Sequence, residues 1–384
     1  MELSSHGRNE MKSPPNYPQL EDNAPLLLGP GPSNVPPRVL QAMAAPMMGH
    51  LDPTFLKTMD RIQDLLRYTF QTENSLAIPV SGTGSAAMET ALSNMIEPGD
   101  PVLVCINGFF GERIEDMCRR YRGEVETIRR PMGEVFTLEE IEHALKVRPA
   151  KVVAIVHGET STGALQPLED LADLVHARGG LLVVDTVATL AGSPVRVDEW
   201  DIDVCYSGSQ KCLSCPPGLG PITLGPRAEK ALAERKTQVA NWYFDMSGLQ
   251  KYWGKERTYH HTAPISSNLA LYEGLRILAE EGLEARWARH QASAEMLWEG
   301  LRGLDMTMVV PEPYRMTTVT TVRVPEGVDE AEVRGRLRAE YNIAIAGGLG
   351  EMKGKVWRIG LMGHSAREQN VRHLIGALEK ILHG

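Results

Sequence analysis

Cysteine is scarce in this chain, with five in 384 residues, at Cys105, Cys118, Cys205, Cys212 and Cys215. An odd, thinly spread set is no disulfide framework and fits a reducing compartment. Cys212 and Cys215 form a C-x-x-C pair, but no second pair or nearby histidine set accompanies them, so no metal site is expected. Positive charge is also short: the formal net charge is -9, which argues against a nucleic-acid partner, because phosphate contacts need clustered Lys and Arg. No run approaches the roughly 20 apolar residues that a membrane-spanning helix requires. The first residues, 1–24, are polar, carry Pro14, Pro15 and Pro18, and lack the apolar core of a signal peptide. They are expected to be a flexible tail. The last residues, Ile381-Leu382-His383-Gly384, are not a peroxisomal signal. A soluble, cytoplasmic protein without a membrane partner is expected.

What is present is enough apolar sequence, 42%, for a large core and about two domains. Seven strand-like apolar runs recur: Leu76 to Val80, Val102 to Ile106, Val125 to Ile128, Val152 to Val156, Leu181 to Val184, Val204 to Tyr206 and Ile222 to Leu224. Between most of them lie segments with apolar residues at helical spacing, namely Ala86 to Ile96, Arg113 to Tyr121, Leu138 to Leu145 and Leu168 to Arg178. Alternating strands and helices predict an α/β fold with one mostly parallel seven-stranded sheet. Beyond Gly225 the pattern changes. Helices are expected over Ser267 to Glu281, Glu284 to Leu304, Asp329 to Tyr341 and Arg367 to Leu382, and strands at Thr318 to Val322, Ile343 to Ala346 and Val356 to Leu361. The predicted division is a large domain over 25–282 and a smaller C-terminal α+β domain over 283–384.

The chemistry gathers after these strands. Leu181 to Val184 runs directly onto Asp185, and the next strand onto Ser207-Gly208-Ser209-Gln210-Lys211. Singly, an Asp there often caps a helix and a Lys is usually solvated. In an open α/β sheet, however, ligands sit at the carboxyl ends of strands. A lysine amine condenses with an aldehyde, and a carboxylate against a pyridine nitrogen keeps that ring an electron sink, so the pair suggests pyridoxal phosphate.

The run Ser81-Gly82-Thr83-Gly84-Ser85 joins the first strand to a helix N-terminus, where free backbone N–H groups and the dipole attract an anion. A plain helix cap is the alternative. Gly82-x-Gly84-x-x-Ala87 also fits a dinucleotide fingerprint, but Val102 to Ile106 ends in Asn107-Gly108 where that fold needs an acid. Arg358 sits inside an apolar strand, where an unpaired guanidinium is costly, and so should meet an anion. A salt bridge to an internal acid is the competing account.

Four longer motifs occur in order: Gly29-Pro30-Gly31-Pro32, His157-Gly158-Glu159-Thr160-Ser161-Thr162-Gly163, Ser207 to Lys211, and Tyr259-His260-His261-Thr262. With them the chain, from about Pro25 onward, resembles the alanine-glyoxylate and serine-pyruvate aminotransferases, which are class V, fold type I pyridoxal phosphate enzymes. The resemblance implies that Lys211 is the Schiff-base lysine, that Asp185 partners the pyridine nitrogen, and that Val187 and Phe110 flank the ring. Phe110 stands where many relatives have Trp, so any indole N–H contact is lost. It further implies Thr160 near the phenolic oxygen, Thr83, Gly84, Ser85 and Gln210 around the phosphate, and Arg358 on the substrate carboxylate, with Gly31, Thr160 and His50 also at the substrate. Tyr259 and Thr262 would reach the phosphate of a partner subunit, which makes an obligate homodimer. Read only as neighbours in a strand, His260 and His261 point to opposite faces and would ligate one ion poorly.

The expected reaction moves the amino group of alanine or serine to glyoxylate or pyruvate by a ping-pong mechanism. Ureidoglycine-glyoxylate aminotransferases resemble the chain as well, but in their pattern Gln and Asn stand in place of His50 and Tyr259. A cysteine desulfurase would need a reactive Cys on a mobile loop, and none is evident. A dehydrogenase would leave Asp185 and Lys211 unexplained, and a non-catalytic relative would be expected to have lost Lys211, Asp185 or Arg358.

Overall fold

The computed structural model describes residues 17–19 and 23–384. The tail expected over 1–24 falls almost wholly outside the described residues. All seven predicted strands form one sheet, in the order Leu76–Ser81, Leu219–Leu224, Val204–Tyr206, Leu181–Asp185, Val152–Val156, Pro101–Ile106, Glu124–Arg129. Leu219–Leu224 runs antiparallel to both neighbours, and the other pairings are parallel. The central strands are buried along their whole length, as continuous apolar runs demand when helices cover both faces. Helix Leu138–Val147 starts on a complete capping box, Thr137 with Glu140, which satisfies two orphan backbone donors at once.

Six of the seven strands, all but Leu219–Leu224, point the same way and end at one edge of this sheet. The loops that leave that edge carry Gly82 to Ser85, Asn107 to Phe110, His157 to Thr162, Thr186 to Val187 and Ser207 to Lys211. This places the His157 to Thr162 and Ser207 to Lys211 motifs and the Gly82 to Ser85 turn at one edge of the sheet.

A second sheet is built from Val319–Arg323, Val356–Gly360 and Ala346–Gly347, with Val356–Gly360 in the middle. Helices Leu283–Gly303, Glu330–Tyr341 and Glu368–His383 belong to this part of the chain, and its apolar core includes Leu297, Leu337, Trp357 and Leu374. Three details differ from expectation. The single strand predicted over Ile343 to Ala346 is two short ones: Ile343–Ala344 pairs with Leu26–Leu27, and Ala346–Gly347 pairs with Val356–Gly360. The predicted helix Leu168 to Arg178 contracts to Leu171–His176, because Asp170 takes a left-handed backbone at its start. Helices Pro37–Met43 and Pro53–Phe70 precede the sheet.

Leu28, although it lies near the start of the described chain, belongs to the second core, and the Gly360 N–H donates to its carbonyl at 2.7 Å. Leu283 remains in the first core. We keep the division at 282/283 as a proposal, with residues 26–28 crossing to the smaller unit. That crossing carries Pro30 and Gly31 over the loop that holds Lys211.

Candidate active site

Lys211 is nearly fully buried, at the end of the loop that follows Val204–Tyr206. Its Nζ donates to the Pro30 carbonyl. Burial pulls the amine down to about 8, because removing water disfavours the charged form. Gly31 shows how closely the two segments meet. Its φ is +110°, and a Cβ there would stand 2.6 Å from both Cδ and Nζ of Lys211. A side chain here would be strained at this φ and would push the Lys211 side chain out of its place.

Asp185 closes its strand in register with Tyr206 on the neighbouring one. Its Oδ1 accepts the Val187 N–H at 2.8 Å, whereas Oδ2 is buried without a hydrogen-bond partner among the described residues. Burial pushes the carboxyl up to about 7. The Tyr206 hydroxyl is buried beside this carboxylate; burial together with that charge raises the phenol, but the two groups do not meet in hydrogen-bond geometry. Orphaned acceptors of this kind are rare in folded chains and mark a place for a ligand.

The loop Gly82 to Ser85 lies against Val187 and Gly208. A Cβ on Gly84 would come within 3.3 Å of Val187 Cγ2 and 3.5 Å of Gly208 Cα. Thr83 occupies the N-cap of helix Gly84–Met95, yet its side chain makes no capping bond, so that hydroxyl is free. Gln210 Oε1 is buried and unpartnered. The cup therefore brings together the helix N-terminus, the Thr83 hydroxyl and the Gln210 side-chain amide, where N–H and O–H groups can donate to an anion.

Arg358 is buried on the middle strand of the smaller sheet. Its Nε donates to the Gly347 carbonyl at 2.7 Å and Nη1 to the Thr160 carbonyl at 3.1 Å. The internal salt bridge that was the competing account is not formed among the described residues, and burial lowers the guanidinium. Thr160 is buried and, through that contact, joins the arginine to the loop after Val152–Val156.

His50, Tyr259 and Thr262 form a separate group. The His50 and Tyr259 rings lie 5.1 Å apart, the Tyr259 hydroxyl stands 3.4 Å from Thr262 Oγ1, and Tyr259 is 56% exposed. His261, between them, turns inward to Ser81 Oγ at 2.7 Å. Burial lowers its imidazole to about 4, so it is neutral at pH 7.

Two residues of the site carried no role in the sequence. Glu159 is fully buried and accepts from the Phe110 N–H at 2.9 Å, the Ser161 N–H at 2.9 Å and the Ser161 hydroxyl at 2.6 Å, which ties the Phe110 helix to the Thr160 loop. Its signal was an acid three positions past an apolar strand, inside the His157 to Gly163 motif. Arg113 reaches the cup from helix Phe109–Arg120, and nothing in its polar, surface-like spacing announced that.

The class-V aminotransferase family profile matches residues 26–370. The chain belongs to the class-V aminotransferases. It is 43% identical over 361 residues to an alanine–glyoxylate aminotransferase of Felis catus, covering 93% of this chain and 87% of that one. It is 39% identical to a (S)-ureidoglycine–glyoxylate transaminase of Bacillus subtilis, with 93% and 90% covered. The crystal structure of an alanine–glyoxylate aminotransferase from Nostoc sp. superposes with a TM-score of 0.94 at 53% identity, covering 96% of this chain and 97% of that one.

Class-V aminotransferases depend on pyridoxal phosphate, and this member is a transaminase. The dinucleotide reading of Gly82-x-Gly84-x-x-Ala87 is thereby set aside. A cysteine desulfurase from Thermococcus onnurineus shares the fold, with a TM-score of 0.71 at 16% identity. All five cysteines of this chain are buried, so none stands on an open loop.

Proposed function

We propose that this class-V aminotransferase binds pyridoxal 5'-phosphate on Lys211 and transfers the amino group of alanine or serine to glyoxylate or pyruvate as a cytoplasmic homodimer with shared sites. The observation that carries the reading is the buried Lys211 amine close enough to feel the charge of Asp185, whose Oδ2 meets no hydrogen-bond partner among the described residues. The residues fit the cofactor. Asp185 would hold its ring nitrogen, Val187 and Phe110 its two faces, Thr160 its phenolic oxygen, and Thr83, Gly84, Ser85 and Gln210 its phosphate. When bound, it supplies an aldehyde that condenses with amines and a ring that draws electrons from the substrate α-carbon.

The chain's own groups supply the rest. Arg358 presents a planar fork, anchored by two backbone carbonyls, for the substrate carboxylate. That contact, next to Thr160, orients the α-carbon toward Lys211. A lysine brought down to about 8 is free amine in a useful fraction near neutrality, so it can take the α-proton and return one. Gly31 and Pro30 close the site above the lysine and exclude water.

Small donors are favoured by a single arginine clamp without a second cation. His50 and Tyr259 favour alanine or serine over ureidoglycine, and Tyr259 with Thr262, exposed on one chain, would complete the partner's site. Single-turnover conversion of alanine, serine and ureidoglycine, each alone, tests the choice: keto-acid release from alanine or serine supports it, and release from ureidoglycine alone overturns it.

A further inference from the structure

The groups expected around the cofactor phosphate, Thr83, Gly84, Ser85 and Gln210, are all uncharged. A phosphate monoester brings a charge of about -1.5 to -2 at neutral pH, and a helix N-terminus offsets only about half a unit. A cation, Arg113, touches this cup. Arg113 Nη1 donates to Ser85 Oγ at 3.1 Å. Its guanidinium carbon lies over the Phe110 ring at 4.8 Å from the centroid and over Phe109 at 5.3 Å.

The spacing from Phe110 to Arg113 puts both on one helix face, so the cation and the ring-stacking aromatic are carried together. Later arginines of the same helix behave otherwise: Arg119 is tied to Glu115 at 2.9 Å and Arg120 to Asp116 at 2.8 Å. Among the described residues Arg113 has no such acid, and Ser85 takes its one side-chain hydrogen bond. A half-buried arginine aimed at a helix N-terminus is electrostatically unfavourable until an anion arrives, since both present positive ends.

We infer that Arg113 is a further residue of the cofactor-phosphate site. It supplies the positive charge that the cup lacks, acting at and beside Ser85, and it holds the Phe110 ring through a cation–π contact. The inference rests on the pyridoxal phosphate reading of the same site. It assigns Arg113 to the phosphate and not merely to the fold, and the two roles separate when the phosphate is removed from the ligand.

Full-length apo-protein is titrated with pyridoxal 5'-phosphate and with pyridoxal, which lacks the phosphate, following visible absorption, for the wild type, R113Q and R113K. The expected result is that R113Q loses affinity for the phosphorylated form by about tenfold or more, while pyridoxal binding changes by no more than about twofold. R113K, which keeps the charge, should retain most of the preference for the phosphorylated form. Raising the ionic strength should narrow the gap between wild type and R113Q. Equal loss for both ligands, or no loss for either, overturns the inference and leaves the proposed function standing. If the wild type itself gives no visible band with either ligand, both fall. R113K decides the matter if R113Q does not fold: a lysine variant that prefers pyridoxal 5'-phosphate no more than pyridoxal contradicts the charge role.

Discussion

At the scale of single residues, Lys211 and Asp185 are buried where their ordinary charged forms are disfavoured. Lys211→Ala should abolish transamination while leaving the thermal unfolding transition and circular dichroism of the fold in place; near-normal turnover would remove Lys211 from its role. Burial holds the Lys211 amine near 8, so capture of pyridoxal phosphate by the apo-protein should quicken as pH rises through about 8 and level off above it. A midpoint near the ordinary lysine value of about 10.4 would show that the amine is not desolvated. Asp185 has the opposite sign. Its carboxyl is raised to about 7 in the folded chain from an ordinary 3.8, so between those values the folded state holds the extra proton. Apo-protein stability from this group therefore declines as pH climbs from about 4 to about 7. Asp185→Asn should flatten that decline in a pH series of urea unfolding midpoints, and it should slow α-proton abstraction by orders of magnitude. For Arg358→Gln, the expectation is a KM for the amino donor raised by about tenfold or more, read from initial rates; an unchanged KM would mean that the substrate carboxylate binds elsewhere.

At the scale of elements, the loops that end the strands do the positioning, and Glu159 is their junction. It joins the start of helix Phe109–Arg120 to the Thr160 loop through the Phe110 and Ser161 backbone N–H groups and the Ser161 hydroxyl. Glu159→Ala leaves these donors unmet and should cost about 1–3 kcal/mol in unfolding free energy; Glu159→Gln, which keeps the shape, should cost less, and urea titration distinguishes them. The central sheet strands were legible because each is a continuous apolar run with a breaker at its end, whereas the edge strand Glu124–Arg129 shows only Val125 and Ile128 between polar residues. Lys211, Asp185 and the phosphate cup were legible for a related reason, since they follow those runs directly. Helix Pro53–Phe70 was not read, although Phe55, Met59, Ile62, Leu66 and Phe70 form its buried stripe; an expectation built on strand–helix alternation has no place for a helix that precedes the sheet. Leu26–Leu27 has no signal of its own, and the strand expected over Ile343 to Ala346 gave no sign that Ile343–Ala344 would pair with it. They exist because a distant segment pairs with them, and the Lys211–Pro30 contact depends on that pairing. Arg113 was hidden for the same reason: its meaning lies in Ser85, 28 positions away.

At the scale of the whole molecule, one chain brings Lys211, Asp185, Gly31 and Arg358 together from both units, yet it leaves Tyr259 exposed beside His50. Trp242 and Met47, 68% and 72% exposed, add apolar surface on segments close to that group in the chain or in contact with it, as the Trp242 ring stacked on His260 at 4.5 Å shows. Sedimentation should give the mass of a dimer, and a monomer holding full activity would contradict shared sites. The most direct test of the central claim is the visible spectrum of the purified protein reconstituted with pyridoxal phosphate, recorded before and after alanine or serine is added without any keto acid. The account predicts a band that requires Lys211 and is lost on adding either donor, then restored by glyoxylate or pyruvate. A protein that gives no such band, or whose band survives both amino acids unchanged, would contradict it.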